Sequence, residues 1–293
     1  MQQATPVDES AGTVEPVTVT IGDKGKLTFR VARPAASSDA GPGIRNACFC
    51  LGVRKSGSTM LHKIVQSLAR QNGVNAVDVP GTFFKNGFVV ADWVGADLTE
   101  VVRPNNVYIG FRSFPTNLTG YEAFRGGRKI FMFRDPRDAL VSQYFSDAYS
   151  HSLPSAETEA GAKASAEFLR KRAETLATEI DAYVLKHARN FQNTLLAFRD
   201  MLDDPSCLTL RYEEYIFQKK RMIHKILKHF DWSCPPGRVE VLLSQIDEVP
   251  DEEEKTRFVR RVIPGDHRNK LQDETIRRLN NQMREAMELY DYY

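Results

Sequence analysis

The short polar loop at residues 52–59 carries the side chains best suited to binding an anion. It follows an apolar run at 47–51 and precedes apolar residues at the helical period, so it joins a buried strand to a helix. Such a loop directs backbone N–H groups and a positive helix end toward one phosphate. Nucleotide hydrolases use GxxxxGK[ST], but here Ser58 occupies the lysine position and Lys55 precedes Gly57. The loop predicts an anion site approached by its lysine from the other side, the alternative being an ordinary strand–turn–helix corner.

Two further basic segments could supply a second anion contact. Arg134 is expected at a strand end, where open α/β sheets bind ligands, and Ser142 lies about two helical turns later. Together they would bind a phosphate by charge-assisted hydrogen bonds, unless Arg134 pairs with Asp138 instead. Arg260 and Arg261 lie in a turn-containing basic loop, which would otherwise be a solvated run of charge.

Strands and helices must position these segments. Short apolar runs alternate with helical patterns, and strands are expected at 47–51, 74–79, 106–110, 129–133 and 208–211. Helices are expected from Asp135 or Pro136 to 149, within 156–199, and at 217–230, 237–245 and 273–290. The predicted fold class is therefore α/β, with a mainly parallel central sheet flanked by helices. Residues 1–16 predict a disordered tail, 17–43 a β-hairpin and linker, and 44–293 the main domain.

Composition limits the classes of protein that fit. The chain has 293 residues, 42% of them hydrophobic, which suffices for one large α/β domain. A net charge of +2 requires no nucleic-acid partner. The four cysteines form neither a CxxC pair nor a zinc pattern, which predicts reduced thiols and no metal. No apolar run approaches a membrane span, so a cytoplasmic chain without an integral membrane segment is predicted.

Together the motifs resemble the sulfotransferase family whose donor is 3′-phosphoadenosine 5′-phosphosulfate (PAPS). Residues 55–59, KSGST, resemble the family's 5′-phosphosulfate loop, PKSGTTW. Residues 134–142, RDPRDALVS, resemble its 3′-phosphate motif, R-N-x-K-D-x-x-V-S, and residues 260–269 its R-K-G-x-x-G-D-W-K-N. Residues 210–214, LRYEE, resemble its strand-end YEDL element. The resemblance implies the P-loop-like sulfotransferase architecture.

The resemblance also implies a reaction. The chain would move a sulfuryl group from PAPS to a hydroxyl or amine of a small-molecule, glycan or lipid acceptor, without a metal. The product would be 3′-phosphoadenosine 5′-phosphate (PAP), and Lys55 would neutralise the oxygen that bridges phosphate and sulfuryl group. The donor would also contact Arg54, Ser56, Gly57, Ser58, Thr59, Met60, Arg134, Ser142, Tyr212, Arg260 and Arg261. The alternatives are a P-loop kinase or nucleoside triphosphatase and a nucleotide-binding module without catalysis.

The chain departs from the family pattern at several positions. Met60 stands where the family has the Trp that stacks on adenine, and Val262 replaces a Gly near the 3′-phosphate. His267 replaces a Trp of the C-terminal motif. The dimer signature of the family's cytosolic branch is absent after Asn269, so a monomer and a homodimer both stay open.

Two residues are candidates for the general base that removes the acceptor's proton. Cytosolic members carry a His in a KTHLP element, but residues 111–115 here, FRSFP, contain none. A Golgi branch uses a Glu in the second strand region, where this chain has Asp78. His62 is the other candidate, seven residues after Lys55. As structural residues, Asp78 would form a turn before Pro80, and His62 would lie on a helix surface.

The acceptor pocket is expected between residues 80–93, residues 112–121 and an insertion at 146–165. These segments and the preceding helix are rich in Phe and Tyr. An apolar or ring-bearing acceptor is therefore predicted.

Overall fold

The centre of the fold is a parallel β-sheet. A computed structural model describes residues 13–33, 46–151, 153 and 159–293. Within them the strands are β1 (Val14–Thr20), β2 (Lys26–Ala32), β3 (Cys48–Gly52), β4 (Asn75–Asp78), β5 (Asn106–Phe111), β6 (Arg128–Phe133) and β7 (Cys207–Arg211). The last five form the parallel sheet in the order β4-β5-β3-β6-β7, which confirms the predicted fold class. The linker predicted to follow the hairpin lies outside the described residues.

Helices cover both faces of this sheet. Within the same residues they are α1 (Ser58–Gln71), α2 (Val79–Lys85), α3 (Val90–Val94), α4 (Glu122–Arg125), α5 (Pro136–Phe145), α6 (Glu159–Leu176), α7 (Ile180–Leu196), α8 (Tyr212–Tyr215), α9 (Lys219–Phe230), α10 (Pro236–Ile246), α11 (His267–Lys270), α12 (Asp273–Gln282) and α13 (Arg284–Leu289). A π-helical turn, Ser146–Ser150, extends α5. The single helix predicted at 273–290 is two helices, because the backbone of Met283 (φ −112°, ψ 20°) leaves the helical conformation between them.

Strand β3 is buried along its whole length because helices cover it from both sides. Its side chains alternate between the faces: Phe49 and Leu51 pack in one core, Cys48 and Cys50 in the other. The second core contains the apolar face of α1, whose helical spacing the sequence predicted. Burial raises the pKa of the Cys48 thiol to about 12, so this cysteine is a protonated core residue.

The parallel arrangement gathers distant residues at one edge of the sheet. Because the strands run in the same direction, their carboxyl ends lie side by side, where ligands of open α/β sheets bind. The loop that starts at Val53 follows β3, and Asp78 ends β4. Arg112 follows β5, Arg134 follows β6, and Tyr212 follows β7.

The hairpin of β1 and β2 lies beside β4, one of the two edge strands of the sheet. It begins at Val14, three residues before the boundary expected from the sequence. The Asn106 side chain accepts from Ala32 N at 2.9 Å, and Asn75 Nδ2 donates to the Arg30 carbonyl at 2.9 Å. An edge strand exposes unpaired backbone groups, so a covering hairpin protects the sheet from pairing with another chain.

Candidate active site

Two residues with positive φ shape the loop after β3. Lys55 (φ 67°) and Gly57 (φ 85°) turn the chain so that α1 begins directly after the loop. Ser56 lies between them, buried, and its hydroxyl donates to a loop carbonyl at 2.7 Å. A Cβ on Gly57 would lie 2.9 Å from the ring of Tyr212, so glycine is required there. Residues 57–60 line a cleft, and the first N–H groups of α1 are available to an anion in it.

The ammonium group of Lys55 has no carboxylate partner among the described residues. Its Nζ instead lies 5.4 Å from the centre of the Phe258 ring. Burial, assisted by the charge of Arg54, lowers the pKa of Lys55 to about 7. Lys55 is therefore only partly charged at neutral pH, and an anion bound beside it would raise its pKa again.

Arg134 is buried at the carboxyl end of β6. Its guanidinium stacks on Tyr212 at 4.3 Å from the ring centre, and Nη1 lies 3.4 Å from the Lys55 carbonyl oxygen. Nη2 lies 3.5 Å from Asp138 Oδ2, and Nε has no hydrogen-bond partner among the described residues. Arg134 thus pairs with Asp138, as the sequence allowed, but the contact is long. Donor groups of the guanidinium therefore stay available to an anion. Ser142 lines the same cleft from α5.

Asp138 ties the start of α5 to the C-terminal basic loop. Its carboxylate accepts from Gly265 N at 2.6 Å, from His267 N at 2.9 Å and from His267 Nδ1 at 2.7 Å. Burial raises the pKa of Asp138, but the hydrogen bond from His267 and the charge of Arg134 outweigh burial and hold it at about 2. His267, which replaces a Trp of the family motif, therefore fixes the loop through Asp138.

Carboxylates already neutralise the arginines of the C-terminal loop. Arg260 is buried and pairs with Glu253 and, at 2.5 Å, with Asp266. Arg261 Nη1 lies 3.4 Å from Glu253 Oε2, and Lys270 Nζ lies 2.6 Å from the same oxygen. Both arginines line the cleft. An incoming phosphate must therefore compete with Glu253 for them.

A small apolar cluster lies beside the loop. Tyr212, Ile216 and Val262 are buried in it, and Met60 and Val259 pack against them. All five residues line the cleft. The departures at Met60 and Val262 thus belong to one apolar wall, suited to packing against a flat ring.

Arg54 is engaged with the end of α5. Its Nη2 lies 2.5 Å from Asp147 Oδ1, and the Tyr183 hydroxyl donates to Asp147 Oδ2 at 2.6 Å. Gln143 Nε2 donates to the Tyr183 hydroxyl at 3.2 Å. This series of contacts joins the loop to the π turn and to α7. Arg54 therefore lines the cleft while its charge is paired with Asp147.

The two candidate bases lie in different surroundings. Asp78 Oδ1 accepts from Gly81 N at 2.8 Å and caps α2. A Cβ on Gly81 or on Gly110 would overlap the Asp78 carboxylate, and both glycines line the cleft. His62 is buried in α1, and burial and then the charge of Arg112 lower its pKa to about 3. Neither His62 nor Asp78 itself lines the cleft. His62 is therefore neutral and enclosed, whereas Asp78 lies beside two cleft residues.

Arg112 lines the cleft, although none of the sequence motifs predicted it as a donor contact. Its Nη2 donates to Thr59 Oγ1 at 2.9 Å. Burial lowers its pKa, and the charge of Asp78 opposes that shift, so Arg112 is electrostatically coupled to both the loop and Asp78. The sequence does contain a signal for Arg112, because it directly follows an apolar strand, as Arg134 does.

One cleft of about 1200 Å³ joins the basic loops to an aromatic wall. A single-ligand site is typically about 300–1000 Å³, so the volume suits a nucleotide and a second ligand together. The aromatic residues of the wall are Phe84, Phe88, Trp93, Phe145, Phe168 and Phe191. The three predicted segments each contribute, although residues 152 and 154–158 lie outside the described part of the chain. Helices α6 and α7 add side chains that the sequence did not predict: Glu167, Phe168, Lys171, Asn190, Phe191 and Thr194.

Comparison with protein families identifies the domain. The model of the sulfotransferase domain family matches residues 45–291, which is most of the chain. The chain belongs to the sulfotransferase domain family. A sequence search of curated proteins finds no significant match.

Solved structures share the fold of this sulfotransferase domain. Mouse sulfotransferase SULT7A1 complexed with PAP matches with a TM-score of 0.57 and 15% identity, over 84% of this chain and 88% of that chain. Retinol dehydratase in complex with androsterone and inactive cofactor PAP matches with a TM-score of 0.44 and 17% identity, over 93% and 90%. The first match agrees with the predicted architecture, and at this identity the likeness extends to the fold alone.

The sulfotransferase domain gathers nearly all the predicted donor contacts in its cleft. Those that line it are Arg54, Lys55, Gly57, Ser58, Thr59, Met60, Arg134, Ser142, Tyr212, Arg260 and Arg261. Ser56 does not, because its N–H and hydroxyl both donate to the Val53 carbonyl from behind the loop. In the described part of the chain, no three or more His, Cys, Asp or Glu residues are grouped to hold a metal ion. None of its helices combines the length and apolar character that crossing a membrane requires.

Proposed function

We propose that this chain transfers the sulfuryl group of PAPS to a hydroxyl or amine of a small-molecule, glycan or lipid acceptor. The carrying observation is that Lys55 and Arg134, 79 residues apart, meet at one cleft, with Tyr212 stacked on Arg134 and against Gly57. Two cationic side chains from different segments, beside one apolar wall, suit a nucleotide with phosphates at both the 5′ and 3′ positions. The similar mouse sulfotransferase was crystallised with PAP, which supports the same donor here.

Different residues bind the 5′-phosphate, the 3′-phosphate and the adenine of the donor. Gly57, Ser58 and Thr59 hold the 5′-phosphate with the first N–H groups and hydroxyls of α1. The Arg134 Nε and Ser142 are available to the 3′-phosphate. Arg260 and Arg261 also bind it once the phosphate displaces Glu253 from them. The adenine packs on the apolar cluster that includes Met60 and Tyr212. Arg54 and Ser56 hold the loop in place, Arg54 through Asp147 and Ser56 through the Val53 carbonyl.

PAPS supplies an activated sulfuryl group, and the chain supplies fixed charge around it. As the acceptor oxygen bonds to sulfur, the bond from sulfur to the 5′-phosphate oxygen breaks, and negative charge collects on that oxygen. Lys55 neutralises this charge, and Arg112 stabilises the sulfuryl oxygens beside Thr59. Asp78 takes the proton that the acceptor hydroxyl loses.

Asp78 is preferred to His62 as the base on two grounds. Neither side chain lines the cleft, but the Asp78 carboxylate is half-buried and lies against Gly81 and Gly110, which do line it, whereas His62 is buried. A pKa of about 3 also makes His62 a weak proton acceptor. Asp78→Asn should lower kcat by about a hundredfold or more and leave the PAP affinity unchanged, while His62→Ala should retain kcat. Near-normal kcat in Asp78→Asn would exclude it as the base.

Calorimetry with PAP and with ADP tests the donor. We expect PAP to bind at least about thirtyfold more tightly, because ADP lacks the 3′-phosphate. Equal affinities would contradict the proposed 3′-phosphate contacts and with them the sulfotransferase assignment. Magnesium-dependent ATP turnover would support a kinase or nucleoside triphosphatase instead. Tight PAP binding without transfer to any of a panel of alcohols, phenols, sugars and amines would support a binding module.

A further inference from the structure

The β1–β2 hairpin precedes the region that matches the sulfotransferase family, residues 45–291, yet it packs behind the acceptor side of the cleft. Phe29 of β2 is buried, and its ring centre lies 6.0 Å from that of Phe83 in α2. Val31 and Phe29 share one apolar core with Trp93 of α3. The hairpin is thus continuous with the wall that carries cleft residues, rather than an appendage on the surface.

The tip of the hairpin makes a specific contact with α3. Lys24 Nζ lies 2.6 Å from Asp92 Oδ1, and Asp92 Oδ2 accepts from Val89 N at 2.8 Å. Asp92 is therefore fixed at both oxygens, one to the hairpin and one to the start of its own helix. Its neighbours Val90 and Trp93 line the cleft.

Helix α3 depends on such contacts for its position. It has five residues, and a helix of one turn is unstable without tertiary packing. Asp92 meets the hairpin through Lys24, and Trp93 shares its core with Phe29 and Val31. Any loosening of that contact would move Val90 and Trp93 at the aromatic wall.

We infer that the β1–β2 hairpin is the fixed outer wall of the acceptor site, with Lys24 a positioning residue that acts through Asp92. This inference rests on the proposed sulfotransferase function for its role in acceptor choice. The hairpin holds α3 against the cleft and so limits the size and shape of the ring that fits beside Trp93. Donor binding is not involved, because Lys24 and Asp92 do not line the cleft and contact each other and Val89 rather than the loops proposed to hold the nucleotide.

Trp93 itself reports on this contact. The chain has two tryptophans, and the other, Trp232, has an indole N–H without a partner among the described residues, so Trp232→Phe removes no hydrogen bond. In that background Trp93 is 3% exposed and should be quenched weakly by acrylamide. Lys24→Glu places like charges together at Asp92 and should raise the quenching constant about threefold. Lys24→Arg should restore the original value.

The matched control is Lys26→Glu, the same charge change on the same hairpin at an exposed residue with no ion pair among the described residues. It should leave quenching unchanged. With PAP present, Lys24→Glu should also weaken binding of the probe 2-naphthol about threefold to fivefold, with the affinity for PAP unaltered. Equal quenching in the Lys24→Glu and Lys26→Glu proteins would overturn the inference. Failure of the wild type to bind PAP would contradict the proposed function and leave the quenching test intact.

Discussion

The cleft carries two groups of cations that are held in opposite ways. Lys55 has no carboxylate partner among the described residues, and burial lowers its pKa to about 7. Arg134, beside it, has one long contact to Asp138 and an unpaired Nε. Arg260 and Arg261, in contrast, both pair with Glu253, and Arg260 also with Asp266.

The difference predicts different contributions to anion binding. Lys55 is half-buried with no carboxylate partner among the described residues, and Arg134 is buried with one long ion-pair contact, so both have lost part of their hydration and an arriving anion stabilises them strongly. A paired arginine must exchange one carboxylate for a phosphate, and the net gain is small. We therefore expect the Lys55 and Arg134 group to dominate donor binding and transfer, and the Arg260 and Arg261 group to adjust them.

Lys55→Ala should have the largest effect. Removing the charge that stabilises the leaving oxygen should lower kcat about a hundredfold to a thousandfold. The measurement is transfer of a radiolabelled sulfuryl group to the best acceptor of the panel. Lys228→Ala, at an exposed lysine of α9, is the control and should retain full activity. A kcat within threefold of wild type for Lys55→Ala would remove Lys55 from the mechanism.

Arg134→Ala should weaken PAP binding about a hundredfold, because a desolvated cation that meets the 3′-phosphate is lost. Binding of 5′-AMP, which lacks that phosphate, should change less than about threefold. Calorimetry with both nucleotides on the same protein gives the comparison, and circular dichroism checks that the fold persists. Equal losses for PAP and 5′-AMP would show that Arg134 supports the loop rather than the 3′-phosphate.

The pH dependence of PAP binding should follow Lys55. Its pKa is about 7 without ligand, and a bound phosphate raises it, so binding takes up a proton. Affinity is then fully present below pH 7 and falls as pH rises, by about fiftyfold between pH 7 and pH 9. Calorimetry in buffers of different ionisation enthalpy measures the proton uptake directly. Lys55→Arg keeps its charge throughout and should bind with little pH dependence.

Glu253→Gln should have the smallest effect and the opposite sign. Freeing Arg260 and Arg261 from a competing carboxylate should tighten PAP binding about threefold to tenfold. Glu252→Gln removes the same charge at an exposed neighbour and controls for the change in net charge. If the two variants bind PAP alike, Glu253 does not compete with the donor.

Much of the donor half of the cleft was predictable from local sequence. An apolar run, a polar loop with Gly57 and a helical repeat after it specify strand, turn and helix over a few residues. Because parallel strands end at one edge, Arg134 and Tyr212 could be assigned to the same side as Lys55 before any distance was known. The α/β class followed from the same alternation.

The acceptor half was less predictable, since its wall comes from α2, α3, α6 and α7. Asn190 and Thr194 show no motif, and they reach the cleft only because α7 packs along α5. The π turn after α5 and the break at Met283 were not predictable either, because the local sequence pattern favours uninterrupted helices there.

The amino-acid sequence by itself determined which residue types stand at the strand ends, and it therefore predicts an anion site at Lys55 and Arg134. Only the tertiary structure decided which cations are already neutralised, because Glu253 and Asp266 reach Arg260 through a folded loop. It also decided that Lys55 is half-buried with a lowered pKa, since burial depends on every element around it. Charge and spacing are local properties of a chain, whereas pairing and burial belong to the whole fold.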